Sequence, residues 1–174
     1  MSPVFIRPVT PADIAVVTQI YAAAVRHGTA SFELEPPSEA EMAQRQRALF
    51  DGGYPYFAAE IGGSLVGYAY AGPYRPRPAY RFTVEDSIYI EPQAQGRGIG
   101  RALLGRLIEE AERLGFRQMI AVIGDSAQTP SIELHRAMGF RMVGNLENVG
   151  FKFDRWLDSV LMQRTLGAGA NTMP

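Results

Sequence analysis

Hydrophobic residues in the first part of the chain follow two spacings, one typical of strands and one typical of helices. After the strand-like stretch VFIRPV, the segment Thr10–Asp13 is a helix start signal, and apolar residues follow it at helical intervals. Pro36 and Pro37 then keep ASFELEPPS irregular until Ser38 starts a second helix, with Glu41 completing a capping box. Two helices therefore flank a proline-stiffened loop.

The middle of the chain has the pattern of strands. YFAAEIGGSLVGYAYAG predicts a hairpin around Gly62 and Gly63, because glycine tolerates the positive φ angles of tight turns. YRPRPAYR contains too much proline for regular structure, and FTVEDSIYI follows it as a third strand. A run of strands therefore connects the two helical parts of the chain.

The most regular helical pattern ends at Gly115. Apolar residues recur at three- and four-residue spacing from Leu103 onward, and charged residues occupy the opposite face. Glu109 and Arg113 are spaced for an i,i+4 ion pair. The pattern predicts a helix with one buried side, whose first turn begins near Gly98.

The last part of the chain adds a strand, a helix and two closing strands. QMIAVI has the composition of a buried strand, Thr129 and Pro130 cap and open a helix, and Gly139 ends it. FRMVGNL and RWLDSVLMQR close the sheet. The order β-α-α-β-β-β-α-β-α-β-β predicts an α+β domain over residues 1–166, with about four helices on a mixed sheet. Residues 167–174 are expected to form a flexible tail.

Composition narrows the classes of function. The 174 residues are 47% hydrophobic, which suits one globular domain. A net charge of −1 provides no electrostatic signature for nucleic acid or a membrane surface, so neither is expected as a partner. Cysteine is absent, which excludes disulfides, thiolate metal sites and a cysteine nucleophile, and no metal is expected. Without a signal-like start or a run of 18 apolar residues, the expected location is the cytoplasm.

Three glycines lie between the strand EDSIYIEP and the long helix. Free N–H groups from Gly96 to Arg101 and the positive end of the helix dipole converge there, and glycine has no Cβ to hinder a ligand. Such a turn suits a phosphate. The dinucleotide fingerprint does not fit, since Arg101 or Leu103 takes the place of its third glycine, and the Gly-Lys-Ser/Thr of a Walker loop is absent. The other interpretation is a tight strand-to-helix turn whose glycines serve the backbone geometry alone.

The pattern that remains, QGRGIG at residues 95–100, resembles the GNAT superfamily of acetyl-CoA-dependent N-acetyltransferases, in which this loop holds the CoA pyrophosphate. Further stretches resemble one branch, the phosphinothricin and methionine sulfoximine or sulfone N-acetyltransferases. They are ASFELEPPS, AYRFTVEDSIYI, QMIAVIGDS, SIELHRAMGF and VGFKFDRWLDSVLMQR. The resemblance covers most of the chain and implies the GNAT (acyl-CoA N-acyltransferase) fold, with acetyl-CoA as cofactor.

The resemblance assigns the cofactor to three segments. Strands splay beside the glycine loop in this fold, so the backbone of Ile88–Ile90 is expected to bind the pantetheine arm, with one N–H polarising the thioester carbonyl. Gln128 departs from the family, which usually carries Asn there, but it has the same amide on a longer stem. The implied cofactor-binding residues are Ile88, Tyr89, Ile90, Gln95, Gly96, Arg97, Gly98, Ile99, Gly100, Arg101, Gln128 and Ser131.

Acetyl transfer needs a neutral amine, whereas an amine with a pKa of about 10 is protonated at neutral pH. Side chains alternate along a strand, so Glu85 and Asp86 point to opposite faces. The resemblance assigns Glu85 as the general base, directly or through water, and implies that the acid of Asp86 is not required. The other interpretation of Glu85 is a structural carboxylate that pairs with an arginine. His135 lies where many family members place a proton-donating tyrosine, and both a catalytic and a structural role fit it.

A free amino acid as acceptor needs a cation for its carboxylate, and guanidinium matches it bidentately. The resemblance places Arg75 at a substrate contact with Arg77 beside it, although a solvated basic loop also fits. Lys152 is expected to close the pocket from the last hairpin. The implied acceptor-binding residues are Phe32, Glu33, Tyr74, Arg75, Arg77, Glu85, Asp86 and Ser87.

Three functions fit these features. The first is an acetyl-CoA-dependent N-acetyltransferase acting on the α-amine of a small amino-acid-like molecule such as phosphinothricin or methionine sulfoximine. The second is a protein or peptide N-acetyltransferase, which would need an open groove. The third is a non-catalytic acyl-CoA-binding module, which would need neither Glu85 nor His135. The family often forms homodimers, and the apolar ending RWLDSVLMQR suits such a contact, so a homodimer is expected.

Overall fold

A computed structural model describes residues 3–174 as one seven-stranded sheet with helices on both faces. The order of helices and strands predicted from the sequence is confirmed. The elements are β1 (Val4–Pro8), α1 (Ile14–His27), α2 (Glu39–Asp51), β2 (Tyr56–Ile61), β3 (Ser64–Pro73), β4 (Thr83–Ile90), α3 (Ile99–Arg113), β5 (Gln118–Gly124), α4 (Thr129–Ala137), β6 (Arg141–Lys152) and β7 (Arg155–Thr165). Short 3-10 turns cover Pro11–Asp13, Pro78–Tyr80 and Pro92–Ala94.

The sheet is mixed, as expected. Its order is β1-β2-β3-β4-β5-β7-β6, and every neighbouring pair is antiparallel except β4 and β5. The apolar side of α3 packs on one face of the sheet, together with α4, while α1 and α2 cover the other face. In the part of the chain from residue 3 to 174, no helix combines the length and the apolar character needed to cross a membrane.

The parallel pair β4–β5 separates halfway along its length. Thr83–Asp86 pairs with Gln118–Ala121, and beyond these four residue pairs the two strands diverge. β3 remains paired with the other edge of β4 as far as Ile90. One edge of β4, from Ser87 to Ile90, is therefore left without a neighbouring strand, and the sheet opens beside the N-terminus of α3.

The sequence makes two local predictions about α3, an ion pair on its outer face and an end at Gly115. Glu109 does not pair with Arg113, so that predicted ion pair is wrong. Both Arg106 and Arg113 bind Glu110 instead, at 2.9 Å and 2.5 Å. The reason is that Glu110 lies between two arginines at i−4 and i+3, which outcompete a single exposed pair. The predicted end at Gly115 is confirmed, with a left-handed φ of +86°.

Helix starts also differ in detail from the sequence prediction. The Ser38 hydroxyl accepts a hydrogen bond from the Glu41 N–H at 3.2 Å, as predicted, but the Glu41 carboxylate binds Arg45 and does not close the capping box. Gln128, and not Thr129, is the N-cap residue of α4. An arginine side chain and the N-cap backbone N–H compete for the same carboxylate, and here the carboxylate binds the arginine.

The last residues of the chain are held in turns. Leu166 is fully buried, and Gly169 donates its N–H to the Leu166 carbonyl. Arg117, just before β5, donates to the Gly169 carbonyl, the Thr172 hydroxyl and the Met173 carbonyl at 3.1 to 3.4 Å. These bonds connect residues 167–174 to the end of the sheet.

Candidate active site

The glycine turn before α3 is open on its outer side. Gly96 and Gly98 have φ angles of +74° and +81°, and Gly98 is the N-cap residue of α3. A Cβ added at either glycine would meet no atom within 4 Å. Within residues 3–174, the N–H groups from Gly96 to Arg101 donate to no protein group. This set of unpaired donors at a helix N-terminus fits a phosphate group.

Gly100 has a different role from its two neighbours. A Cβ there would lie 3.0 Å from a Leu134 methyl and 3.4 Å from an Ile90 methyl. A side chain at this position would press on these two methyl groups, so glycine favours close packing of α3 against α4 and β4. It shapes the wall of the groove rather than exposing the backbone to a ligand.

A groove of about 380 Å³ runs from this turn along α4 to the open edge of β4. Most residues expected to bind the cofactor line it: Ile88, Ile90, Gln95, Gly96, Gly98, Ile99, Gly100, Arg101, Gln128 and Ser131. Tyr89 and Arg97 do not. The Tyr89 ring lies on the opposite face of the sheet against Tyr21 and Tyr68, and Arg97 is exposed beside the groove.

The amide of Gln128 reaches across the groove. Its Nε2 donates to the Thr29 hydroxyl at 3.0 Å, and so connects α4 to the loop after α1. Ala30, the next residue of that loop, lines both the groove and the opening between β4 and β5. The longer stem of Gln compared with Asn thus places the amide on the loop that covers this opening.

A small cavity of about 70 Å³ fills the opening between β4 and β5. Five of its lining residues also line the groove: Ala30, Ile88, Gln128, Ser131 and His135. Ser87 lines both this opening and a larger cavity on the other face of the sheet. The opening therefore lies between the groove and the larger cavity, at the point where β4 and β5 separate.

The larger cavity has a volume of about 420 Å³ and lies between the sheet and the helices α1 and α2. Glu85 and Ser87 line it from β4, and Gly72 lies opposite Glu85 in register, leaving space beside the carboxylate. Its remaining wall was not predicted from the sequence and includes Tyr21, Met42, Arg45, Gln46, Leu49, Tyr56, Tyr68 and Tyr70. The alternation of Tyr68 and Tyr70 on β3 was the available signal.

Glu85 is a half-buried carboxylate in this cavity wall. Burial raises its pKa above the ordinary glutamate value, the negative charge of Asp86 raises it further, and the positive charge of Arg75 acts in the opposite direction. Glu85 makes no hydrogen bond and no ion pair within residues 3–174. An unpaired carboxylate with a raised pKa can accept a proton near neutral pH.

Arg75 and Arg77 lie on the loop between β3 and β4. Both are exposed, and within the described part of the chain neither forms an ion pair. The Arg75 guanidinium stacks over the Tyr74 ring with 5.1 Å to its centroid. Two free guanidinium groups thus lie on the loop that enters β4, and the charge of Arg75 reaches Glu85.

Asp86 lies on the face opposite Glu85, as the strand alternation predicts. Asp86 does not line the acceptor cavity. It pairs with His135 across the sheet opening, and the His135 Nε2 and the Asp86 Oδ2 are 2.9 Å apart. Both side chains are nearly fully buried. The His135 Nδ1 must donate to the Ser131 carbonyl at 2.7 Å, since a carbonyl only accepts, so one proton is shared by Nε2 and the carboxylate. The other oxygen of Asp86 has no partner within residues 3–174.

The electrostatics of His135 follow from this pair. Burial alone lowers the pKa of an imidazole, but the Asp86 carboxylate and the Ser131 carbonyl outweigh it and raise the pKa of His135. The ring also lies edge-on to Phe140 at 5.0 Å. These contacts favour the protonated form of His135, which lies beside both the groove and the opening.

The loop after α1 is fixed to the β6–β7 hairpin. Lys152 donates from Nζ to the carbonyls of Gly28 and Ser31 at 3.0 and 2.8 Å, so its amine holds the loop in place. Phe32 packs against Gly124 and Gly150, where an added Cβ would approach its ring to 2.8 and 2.5 Å. Only glycine at those positions leaves space for the ring.

Glu33 is already committed to protein partners. Its Oε1 accepts from the Tyr21 hydroxyl at 3.0 Å and from Arg45 at 2.6 Å. The carboxylate therefore fixes the loop to α1 and α2.

The residues expected to bind the acceptor fall in three groups. Glu85 and Ser87 line the cavity, Tyr74 and the arginines lie on the β3–β4 loop, and Phe32 and Glu33 belong to the covering loop.

The chain matches known proteins over most of its length. Residues 18–140 match the family model of the acetyltransferase (GNAT) family. A phosphinothricin N-acetyltransferase of Alcaligenes faecalis is 54% identical over 97% of this chain and 86% of its own. An L-methionine sulfoximine/L-methionine sulfone acetyltransferase of Salmonella typhimurium is 40% identical over 92% of this chain and 94% of its own.

A solved structure has the same fold. It is a GNAT superfamily phosphinothricin acetyltransferase from Sinorhizobium meliloti in complex with AcCoA, 50% identical, with a TM-score of 0.97 over 100% of this chain and 94% of that one. The fold and the family resemblance expected from the sequence are confirmed. On the family match, these identities and the shared architecture, the chain belongs to the acetyltransferase (GNAT) family.

Proposed function

We propose that this protein transfers an acetyl group from acetyl-CoA to the α-amine of a small amino-acid-like acceptor of the phosphinothricin or methionine sulfoximine and sulfone type. The relatives named above carry these activities in their names. The observation that carries the proposal is that the groove at the glycine turn and the cavity containing the unpaired Glu85 carboxylate adjoin the same opening in the sheet from its two faces. Within residues 3–174, no group of three or more metal-binding side chains was found.

Different segments of the groove bind different parts of acetyl-CoA. The N–H groups from Gly96 to Arg101 hold the diphosphate, and the open edge of β4 from Ser87 to Ile90 pairs with the pantetheine arm. Bound acetyl-CoA supplies an activated acetyl thioester. A backbone N–H of β4 polarises the thioester carbonyl, and Glu85 accepts a proton from the acceptor ammonium, so that a neutral amine faces the opening.

His135 supplies a proton on the thiol side of the opening. Its position beside both the groove and the opening, and the extra proton shared with Asp86, support this role. Asp86 then acts by fixing the charge of the imidazole. A group with a pKa near the working pH can both donate and recover a proton in each cycle.

Replacing His135 with Gln is expected to lower kcat by about 100-fold, since the proton source is lost.

The free energy of unfolding that His135 contributes to the wild-type protein should also change with pH. The folded-state pKa of His135 is raised, so its pair with Asp86 contributes fully below the unfolded-state pKa and is lost as pH rises through the folded-state value. Urea unfolding at about pH 6 and about pH 9 measures this difference. A pH-independent stability difference with normal kcat would contradict both roles.

Arg75 is the proposed partner of the acceptor carboxylate. Arg75→Ala is expected to raise KM about 10-fold for a free amino acid and to leave KM unchanged for its amide, because only the former has an anion to bind. Arg81→Ala is the matched control, since Arg81 lies on the same loop but stacks on Phe82. Equal effects of Arg75→Ala on acid and amide would exclude carboxylate binding.

A panel of acceptors tests the proposed function against the two alternatives. The cavity of about 420 Å³ is bounded by Tyr21, Met42 and Leu49 of the two helices, and this size favours a small acceptor over a peptide. Release of free thiol from acetyl-CoA is measured with free amino acids, their amides and short peptides. Faster turnover of peptides would favour a protein acetyltransferase, and acetyl-CoA binding without thiol release would favour a binding module.

We also propose a homodimer, formed through the β6–β7 hairpin. The ending RWLDSVLMQR is mostly buried in this chain, and of its apolar residues Trp156 is the one exposed, at 62%. The exposed apolar side chains lie mainly on β6 and the turn: Val143, Leu146, Val149, Phe151 and Phe153. A patch of this kind favours burial against a second copy. Light scattering that gives the mass of one chain at all concentrations would exclude it.

A further inference from the structure

A buried hydroxyl without a partner lies in the wall of the acceptor cavity. Tyr68 is fully buried, lines the cavity, and its hydroxyl forms no hydrogen bond within residues 3–174. Buried polar groups are nearly always paired, and an unpaired one costs about 1–3 kcal/mol. An oxygen atom of a molecule in the cavity would remove that cost.

The neighbouring tyrosines do not supply a partner. Tyr56 and Tyr89 contact Tyr68 through their rings, with centroids 5.8 and 5.4 Å away. The Tyr21 hydroxyl is already bonded to Ser31 and Glu33. Burial also holds the pKa of Tyr68 well above its usual value, so the hydroxyl keeps its proton and is a hydrogen-bond donor at neutral pH. The cavity wall thus contains a donor that no protein group uses.

Tyr68 and Glu85 lie at different positions along the same side of the acceptor cavity. In the β3–β4 register, Gly72 lies opposite Glu85 and Tyr68 lies opposite Tyr89, four residues further along. This corresponds to about 13 Å of strand. An amino acid with a methionine-length side chain spans about 6 Å from its amine to a distal oxygen, from bonds of about 1.5 Å. Glu85 and Tyr68 both line the cavity, so an acceptor with its amine at Glu85 extends its side chain towards Tyr68.

The rest of the cavity suits the middle of such a side chain. Met42 and Leu49 of α2 provide apolar contacts, and Tyr56 and Tyr70 provide aromatic walls. Arg45, the cation in the lining, is bound to Glu33 and Glu41. Largely apolar surroundings with a buried, unused donor favour a methylene chain that ends in a hydrogen-bond acceptor.

We propose that the Tyr68 hydroxyl recognises an oxygen at the far end of the acceptor side chain, and so determines the specificity of the proposed reaction. The inference rests on the function proposed above and assigns the residue that selects its acceptor class. That class comprises α-amino acids whose side chain of methionine length ends in an oxygen-bearing sulfur or phosphorus group. Tyr68 is a binding residue for the acceptor and takes no part in proton transfer.

Tyr68→Phe tests this assignment by removing the hydroxyl while keeping the ring. kcat/KM is measured for methionine sulfone and for norleucine, which has a side chain of similar length without oxygen. The variant is expected to lose about 10-fold in kcat/KM for the sulfone, the loss of one buried hydrogen bond, and to keep its value for norleucine. Calorimetric titration of methionine sulfone into the CoA-saturated enzyme should show the same loss in affinity.

Three results would overturn the proposal or its basis. Unchanged kcat/KM for the sulfone would mean that the hydroxyl binds no acceptor, and an equal loss for sulfone and norleucine would mean that the ring acts only through cavity shape. Wild-type enzyme that acetylates no α-amine at all would exclude the proposed function itself. Because Phe leaves no buried hydroxyl unpaired, Tyr68→Phe should unfold at the same or a higher temperature, which separates a specificity effect from misfolding.

Discussion

Glu85→Gln is expected to lower kcat by about 10²–10⁴-fold, the usual contribution of a general base. Gln has nearly the same size and fits the same place opposite Gly72, but it cannot accept the proton of the acceptor ammonium. The loss should be greatest at pH values well below the pKa of the amine, where almost all acceptor molecules are protonated. At high pH, where neutral amine is present in solution, the variant should recover part of its rate.

The pH profile of kcat/KM provides the decisive measurement. Burial raises the pKa of Glu85, so the wild-type rate should fall as pH drops through a value above the ordinary glutamate range. Glu85→Gln should lack this acidic limb. Glu109→Gln is the matched control, since Glu109 is exposed on the outer face of α3 and forms no ion pair within residues 3–174. An unchanged acidic limb in Glu85→Gln would assign the base to another group.

Gly98→Val is expected to weaken acetyl-CoA binding by about 100-fold or more, equivalent to about 2.7 kcal/mol. The φ angle of Gly98 is +81°, and an added side chain would project into the open space at the N-terminus of α3. Valine therefore blocks the approach of a diphosphate to the backbone N–H groups. It also costs about 1–2 kcal/mol of folding stability, because β-branched residues avoid the left-handed region.

Gly63→Val separates these two effects. Gly63 has a φ angle of +82° in the β2–β3 turn and, like Gly98, has no atom within 4 Å of an added Cβ. It lies outside the groove. Both variants should lose similar thermal stability, and only Gly98→Val should lose affinity in calorimetric titration with acetyl-CoA. Equal affinity in the two variants would remove the glycine turn from the cofactor site.

The sequence predicts those parts of the fold that depend on local spacing. The stripe from Leu103 along α3, the glycine pair of the β2–β3 turn and the alternation of Glu85 and Asp86 each follow from the geometry of one element. The QGRGIG turn is local too, and its residues are close together in the structure for that reason. These features could be predicted because each depends on neighbours within a few residues.

The tyrosine cavity could not be predicted, since its wall comes from elements far apart in the chain. Tyr68 has the ordinary pattern of a half-buried strand residue, and nothing near it indicates that α1 and α2 leave a cavity above it. The bond between Asp86 and His135 joins residues 49 positions apart. Periodicity predicts which face a side chain takes, but the group it meets on that face depends on tertiary packing.

The short parallel contact between β4 and β5 divides this sheet into two sub-sheets, β1–β4 and β5–β7, which are joined by four residue pairs. α3 packs on the first sub-sheet, and α4 packs on β5 and β6 of the second. A ligand that binds along the open edge of β4 and against α4 would occupy this junction and act as a non-covalent cross-link. Its binding energy would add to the cooperativity of unfolding, and loss of the ligand would allow the junction to open before either half unfolds. Under the proposed function, the gap beside which the acyl group binds is thus also the place where the domain is expected to open first.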